Sequence, residues 1–133
     1  MADEAVTDFD SLIQIIRLQA ADIVKLKVMK QGGFLRTSRM MDTAQAAGLG
    51  VVIGHGFGLG INTMAEILLA STSTAVLSGL ECVGPIKTVD DIVTHKLDLS
   101  SGWLNIQHGH GLGVELDEER LSRYTFFSSE HAA

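Results

Sequence analysis

The sequence predicts an α/β fold in which parallel strands alternate with helices. Three observations carry the prediction. The run Asp22–Val28 alternates, with Val24, Leu26 and Val28 on one face and Ile23, Lys25 and Lys27 on the other, because strand side chains swap faces at every residue. The stretch Gly50–Gly54 holds Val51-Val52-Ile53, the all-apolar pattern of a strand covered on both faces. Strand-like and helix-like segments recur at roughly 25–30 residues, the length of one strand–helix unit. The repeat is one of architecture, without repetition of sequence.

Taken in order, Asp8 or Asp10 is placed to cap a helix over Ser11–Gln19, whose Leu12, Ile15, Ile16 and Leu18 share a face. The Asp22–Val28 strand follows and ends in a turn through Met29–Gly33. Phe34–Ala47 reads as a second helix, with Leu35, Met40, Ala44 and Ala47 apolar and Gly48 at its close. After the Gly50–Gly54 strand comes a glycine-dense loop, His55–Gly60, then a helix over Asn62–Ala70. Ala75–Cys82 is expected to be a strand, stopped by Gly84-Pro85. Val89–Val93 reads as a short helical turn. Trp103–Ile106 and Gly113–Leu116 read as a closing pair of strands around His108–Gly111, and the polar end from Glu118 as frayed.

The 133 residues suffice for one modest core, and 46% hydrophobic with 20% charged residues describes a folded chain. A formal charge of −6 with no basic stripe argues against nucleic acid as a partner. No apolar run is long and unbroken enough to cross a bilayer. The acidic amino end does not resemble a signal peptide. Cys82 is the single cysteine, so no internal disulfide forms, which fits a reducing compartment and a cytoplasmic location.

The chemistry-bearing residues centre on the alternating strand. Lys27 sits at its carboxyl end, the end at which strand–helix barrels do their chemistry. A neighbouring Lys25 on the same face is expected to lower its proton affinity, which would make a base usable near neutral pH. The plain alternative is a strand-end lysine reaching water. His55 is either a substrate contact or a second acid/base, or else a structural loop histidine. The loop around Phe57 lacks the spacing and lysine of a phosphate-binding P-loop. His108 and His110 lack a third ligand nearby and read as a turn rather than a metal pair. Glu81, at a strand end, is either pocket lining or half of an ion pair.

Four segments, in this order, resemble the carboxyl-terminal part of the enolase superfamily, in its mandelate racemase/muconate-lactonizing branch. They are Met1–Val6, Ala20–Gly33, Glu81–Pro85 with Asp90–Val93, and Gly111–Leu121. They look like the end of the family's fifth barrel strand, its sixth strand and turn, its eighth strand, and its terminal segment. The resemblance is nearest to the muconate cycloisomerases. It implies the carboxyl-terminal half, about strands five to eight, of a TIM-type (β/α) barrel over residues 1–100. Residues 101–133 would be a tail, with strands, that packs on a cap domain. It implies Mg2+ as cofactor with Asp3 matching one carboxylate ligand. It also implies Lys27 as the acid/base that moves the proton next to the carboxylate of a small substrate, where the mandelate-racemase branch carries an aspartate.

By the same resemblance, His55, Phe57 and Glu81 would line the substrate pocket. The sequence departs from the family at Gly58, where the branch has an acid, and at His55-Gly56, where it has Thr-Met. With a shift of the loop, His55 matches the racemase-branch histidine of strand seven. Gly79-Leu80-Glu81 lacks the paired aspartates of dipeptide epimerases. The family's cap domain, first four strands and remaining magnesium ligands have no counterpart here, so the isolated chain is expected to be inactive. Two open sheet edges are expected to drive self-association into a homo-oligomer.

Overall fold

The computed structural model describes residues 1–104, 106 and 109–126. Eight elements follow in order: α1 (Phe9–Leu18), β1 (Ile23–Leu26), α2 (Val28–Gln31), α3 (Phe34–Ala46), β2 (Gly50–Ile53), α4 (Gly60–Ala70), α5 (Gly84–Lys87) and α6 (Glu118–Tyr124). The strands β1 and β2 pair in parallel, Val24 opposite Val51 and Leu26 opposite Ile53. Parallel single-residue bridges extend the pair on both sides, Ala2 to Val24 and Val76 to Val51. The result is a mixed α/β structure on a small parallel sheet.

The alternation in β1 sorts the sheet's faces. Val24, Leu26, Val51 and Ile53 are buried against Leu12 and Ile15 of α1, Met40, Met41 and Ala44 of α3, and Leu69 and Ala70 of α4. Lys25 and Lys27 alternate with these residues and therefore leave from the opposite face. The α1 helix begins with a capping box: Asp8 accepts from the Ser11 amide at 2.9 Å and the Ser11 hydroxyl accepts from the Asp8 amide at 3.0 Å.

Several expectations need correction. Val28 does not extend β1; it opens α2, a single helical turn that precedes Gly32 and Gly33. Ala75–Cys82 runs beside β2 and donates to it through Leu77 N–H to Val51 O and Glu81 N–H to Ile53 O, yet among the described residues only Val76 makes a ladder bridge. The left-handed Gly79, φ +99°, breaks the run between the two contacts. Gly84-Pro85 does not merely end a strand. It starts α5, with Pro85 in the first turn, where its missing N–H costs nothing.

Val89–Val93 is not helical. The Asp91 carboxylate is drawn away to accept from the amide of Gly60, at 3.1 and 2.9 Å, and so caps α4 from 31 residues downstream. Val93 then bridges Leu116 in antiparallel fashion. Among the described residues the bridge of Gly113–Leu116 is to this segment; the expected pairing with Trp103–Ile106 falls partly outside them, as Asn105 and His108 are not described. The stretch from Glu118 is helix α6 through Tyr124. Asp117 caps it by accepting from the Arg120 amide at 3.0 Å, and Tyr124 donates to Asp90 at 2.8 Å. Among the described residues no helix is long and apolar enough to cross a membrane.

Candidate functional site

The face of β1 opposite Val24 and Leu26 carries a charge network. Lys27 Nζ lies 2.6 Å from Asp3 Oδ1 and 2.8 Å from Glu4 Oε1. Lys25 Nζ pairs with Glu81 and stands 3.7 Å from Asp3 Oδ2. Lys30 reaches Glu4 at 3.1 Å and donates to the Asp3 carbonyl at 3.0 Å. Three lysines of the 25–30 stretch thus interleave with three carboxylates from two other segments. The lysine side chains are largely covered, 11% exposed for Lys25 and 14% for Lys27, whereas Glu4 is open to solvent.

The carboxylates invert the expected electrostatics of Lys27. Burial pulls its ammonium down, but Asp3 and Glu4 together outweigh burial and hold its pKa above the ordinary lysine value. Lys27 therefore rests as a charged ammonium and not as the poised free base that two neighbouring lysines would make. Glu4 is held below the usual carboxylate range by its bonds to Lys27 and Lys30.

The structure brings Lys27, Asp3 and Glu81 together, linked through Lys25. It does not bring His55 or Phe57 into that network. His55 is buried behind it: Nδ1 lies 2.5 Å from Glu66 Oε2, and Nε2 lies 3.1 Å from both the Gly58 carbonyl and the Thr63 hydroxyl. Phe57 stands 79% exposed at the loop tip with the Lys87 ammonium 5.1 Å from its ring centre. The loop is pinned close to its neighbours. A Cβ on Gly84 would fall 1.7 Å from the Gly58 carbonyl oxygen, and one on Gly54 would fall 2.4 Å from the Glu81 backbone.

Two placements bear on metal binding. Asp3 Oδ1 is buried and accepts no hydrogen bond, the Lys27 contact lying outside hydrogen-bond geometry. A hard oxygen of this kind fits as one ligand of a magnesium ion, which takes one or two protein carboxylates and completes its shell with water and substrate oxygens. Among the described residues Asp3 belongs to no group of three convergent ligand atoms; His55, Glu66 and Cys82 form such a group. The 2.5 Å between His55 and Glu66 is a hydrogen-bond distance. Two ligands of one tetrahedral ion stand about 3.3 Å apart, from metal–ligand bonds of about 2.0 Å. The trio is a hydrogen-bonded cluster. Burial and the Glu66 carboxylate push the Cys82 thiol up to about 12.

Sequence reasoning missed Glu4, Lys30, Gln31 and Glu66. Glu66 had a signal, as the one acid inside the apolar run Met64–Ala70; the other three look like ordinary surface residues in the sequence.

A family model described as enolase C-terminal domain-like matches residues 1–120. The chain belongs to that family. Its relatives place it in the mandelate racemase/muconate-lactonizing branch of the enolase superfamily. Muconate cycloisomerase 1-1 of Acinetobacter lwoffii is 34% identical over 125 residues, covering 94% of this chain and 33% of the relative. The solved structure of the muconate-lactonizing enzyme of Pseudomonas putida superposes with a TM-score of 0.86 at 32% identity, covering 93% of this chain and 35% of that one. A Pseudomonas fluorescens enolase with bound magnesium, potassium and tartrate superposes with a TM-score of 0.82 at 26% identity, over 90% of this chain and 29% of the other. This member of the enolase superfamily thus spans about a third of the length of the relatives it matches.

Proposed function

We propose that this chain is the lysine-bearing part of a magnesium-dependent, muconate cycloisomerase-like enzyme that moves the proton next to the carboxylate of a small substrate. The observation that carries the reading is the position of Lys27. Its ammonium leaves the parallel sheet on the side opposite Val24 and Leu26 and stands 2.6 Å from Asp3. As a charged group Lys27 acts first as the acid, delivering a proton to the carbon next to the substrate carboxylate; the reverse direction uses the same amine as base. Lys25, joined to Asp3 and Glu81, adds a positive charge that draws and orients an anionic substrate. A magnesium ion, when bound, would supply positive charge for the substrate carboxylate, and Asp3 is the residue of this chain that would ligate it.

The test is lactonisation of cis,cis-muconate, or exchange of the α-proton of the lactone in D2O, with magnesium present. It is run with this chain and with the chain joined to the preceding two-thirds of a cycloisomerase relative. Lys27→Ala is expected to lower the joined protein's rate by about 10²–10⁴-fold. An unchanged rate removes Lys27 from the chemistry.

A second reading, a non-catalytic piece, is favoured by Asp3 standing outside any convergent ligand group among the described residues. It predicts that the 133-residue chain alone binds no magnesium at millimolar concentration and turns nothing over. In either reading the backbone edges flanking Ala2 and Val76 support pairing with a second copy as a homo-oligomer. Sedimentation as a strict monomer at micromolar concentration rejects that pairing. A single cysteine, buried and unpaired, supports placing the chain in the cytoplasm.

A further inference from the structure

The residue with the least obvious reason to exist is Glu66. It is fully buried in the apolar middle of α4, where an aliphatic side chain would pack without the cost of desolvating a carboxylate. Its two oxygens reach different places. Oε1 accepts from the amide of Val28 at 3.0 Å. Oε2 takes His55 Nδ1 at 2.5 Å and the Cys82 thiol at 3.5 Å.

Those three contacts fall at the ends of three neighbouring extended segments. Val28 is the residue after Lys27, His55 lies just past β2, and Cys82 follows Glu81. Lys27 itself is the last extended residue before α2, at φ −136° and ψ 123°. Its own amide donates to the buried Gln31 Oε1 at 2.6 Å. Both peptide N–H groups flanking the Lys27 Cα therefore end on buried side-chain oxygens, one local and one from α4. The backbone sets the direction of the Cα–Cβ bond, so these two acceptors fix the root from which the Lys27 side chain runs to Asp3 and Glu4.

We infer that Glu66 is the positioning residue of the lysine site. It holds Val28, and through it the Lys27 side chain, in register with the His55 loop and the Glu81 segment. The inference rests on the reading of Lys27 as the proton-transfer amine. Glu66 touches neither the ammonium nor any group on the charged face, so its effect passes through the Val28 amide and the His55–Cys82 cluster.

The experiment uses nuclear magnetic resonance on the 133-residue chain without substrate. In the wild type, a scalar coupling across the hydrogen bond is expected between the Val28 amide nitrogen and the Glu66 carboxyl carbon; its absence overturns the proposal without any variant. In Glu66→Gln, which keeps the volume and exchanges a charged acceptor for a neutral one, Val28 amide exchange is expected to accelerate about tenfold. The Lys25 and Val51 amides, bonded to Ala2 and Ala75, are expected to keep their rates. At one fixed pH the Lys27 Hε–Cε resonance is expected to move toward that of an unfolded lysine, while Lys96, bonded to the Thr88 carbonyl, stays put. In Glu66→Ala the Val28 protection is expected to vanish.

Uniform acceleration of all amides with an unmoved Lys27 resonance means that Glu66 only stabilises the fold, and overturns the proposal. None of these readouts needs turnover. Their failure leaves the chemistry of Lys27 standing, and a failure of Lys27→Ala to slow proton exchange leaves the Val28 contact standing.

Discussion

The two faces of β1 are one residue apart along the chain and follow different rules. On one side Val24 and Leu26 are fully buried among helices α1, α3 and α4. On the other, Lys25 and Lys27 meet Asp3, Glu4 and Glu81 in a layer with solvent at its rim. The apolar face holds the strands and helices together through burial. The charged face contributes little to stability for its number of contacts, since partly solvated ion pairs are each worth a small amount. The fold can therefore vary its chemistry on one face without dismantling the other.

The largest effect should come from breaking the apolar side. Leu26→Ala removes a fully buried side chain that nothing can replace, and is expected to cost about 2–5 kcal/mol, read as a shift of the urea midpoint. Next comes the tight crossing behind the charged face. Gly84→Ala puts a methyl into the Gly58 carbonyl and is expected to cost about 1–3 kcal/mol, as overpacking does. The same denaturation curve checks it. A change well below 1 kcal/mol would show that the loop gives way freely. On the charged side, Lys25→Met keeps the covered stem and loses the ammonium, and is expected to change stability by less than about 1 kcal/mol. A loss as large as that of Leu26→Ala would erase the distinction between the faces.

The distinction was legible in the sequence because a strand's period is two. Val24-Lys25-Leu26-Lys27 announces two faces without any knowledge of what covers them, and Val51–Ile53 announces a covered neighbour. The helices α1, α3 and α4 were legible for the same reason, from apolar residues recurring at helical spacing. What failed depended on partners far away in the chain. Val89–Val93 reads as helical until Asp91 is recruited by the Gly60 amide. The end from Glu118 reads as frayed until Arg120 docks on the Asp91 and Val93 carbonyls, at 3.4 Å each. The expected weakening of Lys27's hold on its proton considered only the lysine beside it. Asp3 and Glu4, more than twenty residues upstream, reverse its sign. Glu66 was missed because its role lies in an amide 38 residues away.

An effect of comparably small size belongs to the Asp8 cap of α1, which sits at the solvent edge of the apolar side and tests whether that side is stabilised by burial alone. Bonds from the Ser11 amide and hydroxyl hold the Asp8 carboxyl below its ordinary value of 3.8. A carboxyl whose folded pKa is depressed stabilises the fold fully above its unfolded pKa, and that contribution is lost as pH falls through the folded value. Asp8→Ala should therefore melt a few degrees lower than wild type at neutral pH. The gap between the two melting temperatures should narrow below about pH 4 and close once the wild-type carboxyl is protonated. A gap that stays constant down to pH 2 would mean that the cap acts through packing or local backbone preference and not through the ionised carboxylate. The apolar side would then owe nothing to charge even at its rim.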